Sequence, residues 1–290
     1  MTEPRLNHVQ CLDARGLHRM AYWEWGDAAN PRVLVCAHGV SRQGRDFDVL
    51  AQAMSDRYRV VCPDLPGRGR SDWLADPSDY ALPQYASDMI TVLARTQAAE
   101  IDWIGSSLGG LTGIHVAALA GSPIRRMVVN DIGPYLPWSG LARIGSYVSS
   151  APTDFESIAA AESFLREVLA PFGDLTDEHW AHLTRHSVAR DPASGRYAML
   201  CDPQIVRAFR NPWHYSLDLW KYWTAIKLPT LVIRGVDSDL LTADLAEKME
   251  RRSLFAKIHE IEGCGHAPPL MNADQIKLIA DFLASKTPFP

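Results

Sequence analysis

The chain has 290 residues, 47% of them hydrophobic and 22% charged, with a formal net charge of −5 at pH 7. That length holds one large domain, or one domain carrying an insertion. The mild acidity argues against nucleic acid or an anionic membrane surface as the main partner and leaves a small-molecule substrate as the expected one. In chain order, residues 8–14 and 17–25 are strand-like runs joined at Gly16, so an antiparallel hairpin is expected at the start. Residues 31–37 form a continuous apolar strand that runs into a turn at His38-Gly39. Residues 47–54 have helical apolar spacing, and 58–62 are the next buried strand. A helix over 83–95, a strand over 101–104, a helix over 108–119 and a strand over 126–130 follow. After residue 228 the strand pattern returns at 229–235 and Ala256–Ile261, with a closing helix over 274–283. Short unbroken apolar strands alternating with helices predict an α/β fold, a mostly parallel sheet covered on both faces.

One stretch breaks the alternation. From about 136 to about 211 the spacing is helical, clearest at 141–149, 155–169 and 176–188, with Thr176 as an N-cap and no core strand between. Pro134-Tyr-Leu-Pro137 and Asn211-Pro212 read as its two boundaries. The expected division is a core of residues 1–135 and 212–290 and a helical cap of 136–211, lying over the carboxyl edge of the sheet where such sheets bind ligands. The longest apolar stretches, such as 229–233, are too short to cross a bilayer. The first eight residues lack the apolar core of a signal peptide. Five scattered cysteines (Cys11, Cys36, Cys62, Cys201, Cys264) contain no C-x-x-C pair and are expected as free thiols in a reducing, cytoplasmic setting.

The segment Gly105-Ser-Ser-Leu-Gly109 fits G-x-S-x-G between the 101–104 strand and the helix that follows. A sharp strand-to-helix turn requires small neighbours and pushes Ser107 out at a helix N-terminus, where backbone N–H groups stabilise negative charge. A serine hydroxyl needs a base and a group that orients the base. His266, in the Gly/Pro-rich loop after the last strand, fits the base, and Ser…Asp…His is the chain order this geometry requires. For the acid, the loop after 229–235 offers Asp237 and Asp239, and spacing does not choose between them. Asp131, at the end of the 126–130 strand, is a third candidate, for which a turn or hinge role is the preferred reading. The oxyanion donors are expected from the amides of Leu108 and Val40, with His38 structural. Arg42 and Arg45 could meet an acidic substrate group, but pairing with Asp46 and Asp48 is the preferred reading.

Other signals are set aside. Pro66-Gly-Arg-Gly-Arg-Ser71 has Asp72 where a dinucleotide loop needs its third glycine, and Gly105–Gly110 has no phosphate-loop lysine. His179, His182 and His186 share a helix face without a carboxylate or cysteine at convincing spacing, so a solvated face is expected. No metal or cofactor is expected. Tryptophans 138, 180, 213, 220 and 223 cluster in or near the insertion, where some are expected to line an apolar pocket.

The segments His38-Gly39, Asp64-Leu-Pro-Gly-Arg-Gly-Arg-Ser71, Gly105-Ser-Ser-Leu-Gly109, Asn130-Asp-Ile-Gly-Pro134, Arg234-Gly-Val-Asp-Ser-Asp-Leu-Leu241 and Gly265-His266 resemble the α/β-hydrolase superfamily, in its cap-bearing serine esterases. The resemblance spans the core and leaves the insertion unmatched. It implies an eight-stranded sheet, a lid between the sixth strand and the next helix, and Asp239, the aspartate after Ser238, as the triad acid, with Asp237 as alternate. It also implies two-step acyl transfer on an ester of a small to medium apolar substrate. A serine at the elbow argues against dehalogenases and epoxide hydrolases, whose relatives have an aspartate there. Carbon–carbon bond hydrolysis and cofactor-free perhydrolysis use a similar triad and stay open, although Ala267 stands where ring-cleavage-product hydrolases commonly have tryptophan. A slowly turning-over ligand receptor is the alternative of another class. Monomer and homodimer both stay open.

Overall fold

The computed structural model describes residues 3–209 and 216–285. One sheet contains β1 (Arg5–Asp13), β2 (Gly16–Trp25), β3 (Val33–Ala37), β4 (Arg59–Pro63), β5 (Ile101–Ser106), β6 (Ile124–Asn130), β7 (Thr230–Gly235) and β8 (Ala256–Ile261), in the spatial order β1-β2-β4-β3-β5-β6-β7-β8. The opening hairpin and the β2–β4 pair are antiparallel; every later neighbour is parallel. All residues of β3 and of β7 are buried, as a sheet covered on both faces requires.

The period of two along each strand divides the core. Val33, Val35, Trp103, Met127, Val129 and Val232 face one layer, built with α2 (Leu82–Thr96), α3 (Leu108–Ala117), α7 (Trp220–Ala225) and α8 (Ala243–Arg251). Leu34, Cys36, Ile104, Val128, Leu231 and Ile233 face the other, built with α1 (Asp48–Met54) and α9 (Ala273–Ala284). The chain passes from β3 through α1 to β4 on one face, then through α2 to β5 on the other. The carboxyl ends of β3 and β5 therefore diverge into a crevice, the place where open α/β sheets receive ligands.

The insertion between β6 and β7 rises from a short stem. Tyr135–Leu136 pairs antiparallel with Leu217–Asp218, and the Leu219 amide donates to the Pro134 carbonyl at 2.6 Å. The expected exit at Asn211-Pro212 lies outside the described residues. The insertion holds α4 (Trp138–Ser150), α5 (Ile158–Val168) and α6 (Asp177–Ser187), the last capped by the Thr176 hydroxyl, which accepts from the His179 amide at 3.2 Å. It is not purely helical. Asp154–Phe155, Tyr197–Met199 and Val188–Arg190 form a small antiparallel sheet, so the helix expected over 155–169 starts three residues late, where the Ser157 hydroxyl accepts from the Ala160 amide. Leu165, Leu169, Trp180 and Leu183 of the insertion pack with Met271 of the core. Of the clustered tryptophans, expected to divide between an apolar pocket and the core, the buried ones are core. Trp180 joins that cluster and Trp220 and Trp223 join the core, because large apolar rings seal layers, and Trp213 lies outside the described residues. Among the described residues no helix is long and apolar enough to cross a membrane.

Candidate active site

The Gly105–Gly109 turn is a strand-to-helix elbow. Ser107 adopts φ 50°, ψ −113° between β5 and α3, a strained conformation held by its surroundings. The two glycines are required by contact: a Cβ on Gly105 would stand 2.3 Å from the Gly109 carbonyl oxygen, and one on Gly109 would stand 2.0 Å from the Ala37 carbonyl oxygen. The Ser107 amide donates to the Asn130 carbonyl at 3.0 Å, and the Gly109 amide donates to the His38 carbonyl at 3.0 Å, which ties the elbow to both neighbouring strand ends.

His266 follows β8 in a loop fastened to the insertion, with the Gly265 amide donating to the Pro171 carbonyl at 2.7 Å. Its Nε2 lies 2.9 Å from Ser107 Oγ, and its Nδ1 lies 2.8 Å from Asp131 Oδ2. Asp131 is fully buried. Its Oδ1 accepts from the Gly235 amide at 2.9 Å and its Oδ2 from the Ser238 hydroxyl at 2.6 Å. The structure thus brings Ser107 and His266 together and sets Asp131, not the expected Asp239, against the imidazole ring. Asp239, the expected partner of His266, instead forms a surface ion pair with Arg143 of α4 at 2.7 Å, and Asp237 is also exposed. The loop after β7 turns at once, with the Ser238 amide donating to the Gly235 carbonyl at 3.0 Å, and this turn buries Ser238 against Asp131 while Asp237 and Asp239 stay exposed.

Val40 lines the cavity above Ser107, and Leu108 is the first residue of α3, whose N–H has no acceptor within its own helix. Among the described residues neither amide has a hydrogen-bond partner. His38 is fixed by backbone: its Nε2 accepts from the Leu65 amide at 2.8 Å, so its Nδ1–H donates to the Gly39 carbonyl at 2.7 Å. Burial pushes its pKa down to about 3, which keeps the ring neutral.

Arg68 is a residue whose part sequence reasoning missed. Its buried guanidinium donates from Nε to the Val40 carbonyl at 2.7 Å and from Nη1 to the Tyr85 hydroxyl at 2.8 Å. Its neighbour Asp64 accepts from the Gly44 and Arg70 amides, and burial raises its pKa to about 6. The Asp64–Ser71 segment, whose Pro66–Ser71 stretch was set aside as a dinucleotide loop, therefore braces the loop that carries Val40.

Arg42 pairs with Asp46 through Nε at 2.6 Å and Nη2 at 2.9 Å, and Arg45 pairs with Asp48 at 2.7 Å. The cavity beside Ser107 has an empty volume of about 830 Å³ and is roofed by Arg143, Ile144, Tyr147, Val168, Leu169 and Leu183 of the insertion. The histidines of α6 correct a second expectation. His179, His182 and His186 are half-buried, not solvated, because α6 lies on the core. Asp48 completes a group with His182 and His186 whose potential ligand atoms lie within 4.8 Å of one another. These atoms already serve the interface, since His182 Nε2 is 3.1 Å from the Arg45 carbonyl and 3.3 Å from Asp48 Oδ2. The group therefore fastens α6 to the core.

The model of the alpha/beta hydrolase family matches residues 34–277. A 3-hydroxybutyrate-oligomer hydrolase of Cupriavidus necator is 43% identical over 288 residues, covering 96% of this chain and 97% of that protein. An esterase of Mycobacterium tuberculosis is 26% identical, covering 89% of this chain and 83% of its own. Among solved structures, an alpha/beta hydrolase from Novosphingobium aromaticivorans superposes with a TM-score of 0.85 at 33% identity, covering 98% of this chain and 99% of that one.

Proposed function

As the chain belongs to the alpha/beta hydrolase family, we propose that its ester hydrolysis runs through an acyl-enzyme on Ser107 and that its substrates are short hydroxy-acid oligoesters. The carrying observation is the unbroken hydrogen-bond chain from Ser107 through His266 to Asp131 beneath the insertion. Ser107 Oγ attacks the ester carbonyl while His266 Nε2 takes its proton. Asp131 holds the Nδ1–H and stabilises the imidazolium, and the Val40 and Leu108 amides receive the oxyanion. Collapse expels the alcohol with the proton from His266, and a water activated by the same ring releases the acid. Residues 136–211 act as a cap that keeps bulk water from the acyl-enzyme. The oligoester substrate is supported by the name of the 43% identical relative and by a roof over Ser107 that joins apolar side chains (Ile144, Val168, Leu169, Leu183) to the polar Arg143 and Tyr147.

A fluorophosphonate probe should label the wild-type chain and leave Ser107→Ala unlabelled, with linear 3-hydroxybutyrate oligomers hydrolysed only by the former. A wild type that neither labels nor cleaves any ester overturns the acyl-enzyme reading.

A further inference from the structure

A second cavity, with about 1230 Å³ of empty volume, adjoins the one at Ser107. The two share Ser41, Arg42, Tyr147, Val168 and Leu169 as walls. The Ser41 and Tyr147 hydroxyls meet between them in a hydrogen bond. Beyond this pair the space lies between the core and α4, α5 and the small sheet of the insertion, walled by Val148, Phe164, Leu165 and Met199. It holds none of Ser107, His266 and Asp131, and the acyl-transfer steps do not use it.

Arg42 connects the two spaces. Its side chain is buried at 7% exposure, and Asp46 occupies its Nε and one Nη2 hydrogen. A guanidinium carries five donors, and among the described residues Nη1 donates to nothing. Its Cγ and Ser107 Cβ both lie within 4 Å of the point that a Cβ on Gly39 would occupy, 3.8 Å and 3.5 Å away. The stem of Arg42 thus stands beside Ser107, and the side chain that carries the free donor lines both cavities. A plain hydrocarbon chain gives such a donor nothing to bind. A chain that repeats a carbonyl after every few carbons supplies an acceptor at that wall and apolar carbon for the space beyond it.

We propose that the second cavity is a binding site for the part of a hydroxy-acid oligoester that extends past the scissile bond, reached by parting the Ser41–Tyr147 hydroxyl pair, with Arg42 Nη1 donating to the oxygen of the neighbouring carbonyl group. This rests on the ester-hydrolase reading and adds to it where the rest of the chain goes. The acceptor is an internal ester carbonyl or the terminal carboxylate; both offer the same oxygen to the guanidinium. Asp46 fixes the fork of Arg42 from one side, so that Nη1 is presented without a large loss of side-chain freedom on binding. The Ser41 and Tyr147 hydroxyls, once parted, serve the same oxygens.

The test uses the full chain with p-nitrophenyl acetate and with the linear trimer of 3-hydroxybutyrate, the latter as free acid and as methyl ester. The readout is the trimer kcat/KM divided by that for p-nitrophenyl acetate, so that any loss of active protein cancels. Ala198→Trp, which places an indole in the second cavity, and Arg42→Gln should each lower this ratio about tenfold or more. Arg42→Lys, which keeps the charge beside Asp46 and removes the forked Nη1 donor, should lower it too and carries the Arg42 test, with the same overturning result, if Arg42→Gln does not fold. A ratio within about twofold of wild type in Ala198→Trp overturns the cavity as a subsite, and the same result in Arg42→Gln overturns the role of Arg42. If Arg42 receives a terminal carboxylate, the methyl ester is the poorer wild-type substrate and Arg42→Gln evens the two. If it receives an internal carbonyl, the variant lowers both alike. Wild-type turnover of p-nitrophenyl acetate tests the underlying reading separately: its failure sinks ester hydrolysis, whereas turnover with an unaltered ratio sinks only the subsite.

Discussion

Asp131 and Asp239 show how differently two carboxylates of one chain can be placed. Asp131 is fully buried at the end of β6, and its oxygens accept from an amide, a hydroxyl and the His266 ring. Asp239 keeps 49% of its side chain exposed and pairs with a half-exposed arginine, an arrangement worth about 0–1 kcal/mol. Asp131→Asn puts an amide where the Nδ1–H needs an acceptor and favours the wrong ring tautomer, so kcat should fall on the order of 10⁴-fold. Asp239→Asn should change kcat by no more than about threefold. Steady-state kinetics on a short ester distinguish the two, and the reverse pattern would return the role to Asp239. All three aspartates follow strands at the same sheet edge. Only the direction in which each side chain leaves its loop separates them, and spacing along the chain carries no trace of that.

At the scale of the element, the β5–α3 elbow is the part most legible in sequence. A left-handed serine flanked by two glycines, after an apolar strand and before a helix, has few other foldings, and the contacts say why: a Cβ on Gly109 would stand only 2.0 Å from the Ala37 carbonyl oxygen, so there is no room for one. Gly109→Ala must push β3 and α3 apart, moving the Leu108 amide and the loop that carries Val40. Overpacking of this kind costs about 1–3 kcal/mol or more, so Tm and kcat should fall together, as thermal unfolding and ester turnover would register. An unaltered kcat in the folded variant would separate the elbow's packing from the proposed oxyanion donors. The strands of the insertion were less legible. Tyr197–Met199 and its partners are two or three residues long, too short for a period of two to stand out, and they form because non-neighbouring segments meet.

The molecule as a whole holds buried titratable groups with opposed effects on stability. Burial pushes His38 and His186 down to about 3 from a usual 6.5. Between those values the unfolded chain binds protons that the native chain refuses, so both histidines cost stability as pH falls below about 6.5. Burial pushes Asp64 and Asp88 up to about 6 from a usual 3.8, so the native chain binds protons first and these groups favour folding as pH falls from about 6 to 4. The two pairs offset one another in that range, and acid loss from the histidines is left bare below about pH 4. His186→Gln removes one destabilising term and keeps a polar side chain. Its Tm should therefore rise relative to wild type as pH falls from about 6.5 to 4; a constant difference across that range would exclude His186 from the balance.

Sequence by itself determined the α/β architecture, the hairpin that opens it, the strand-to-helix elbow at Ser107 and the loop placement of His266. Each of these is written in a local period, a glycine that a turn requires, or an order along the chain. Tertiary structure alone decided that Asp131 faces His266, that Asp48 meets the α6 histidines, that Arg68 braces the Val40 loop, and that a second cavity opens beside Arg42. These depend on where side chains from β6, the β7 loop, the first core loop and the insertion converge. Convergence is set by packing between segments far apart along the chain, 135 residues for Asp131 and His266, and no local pattern encodes it.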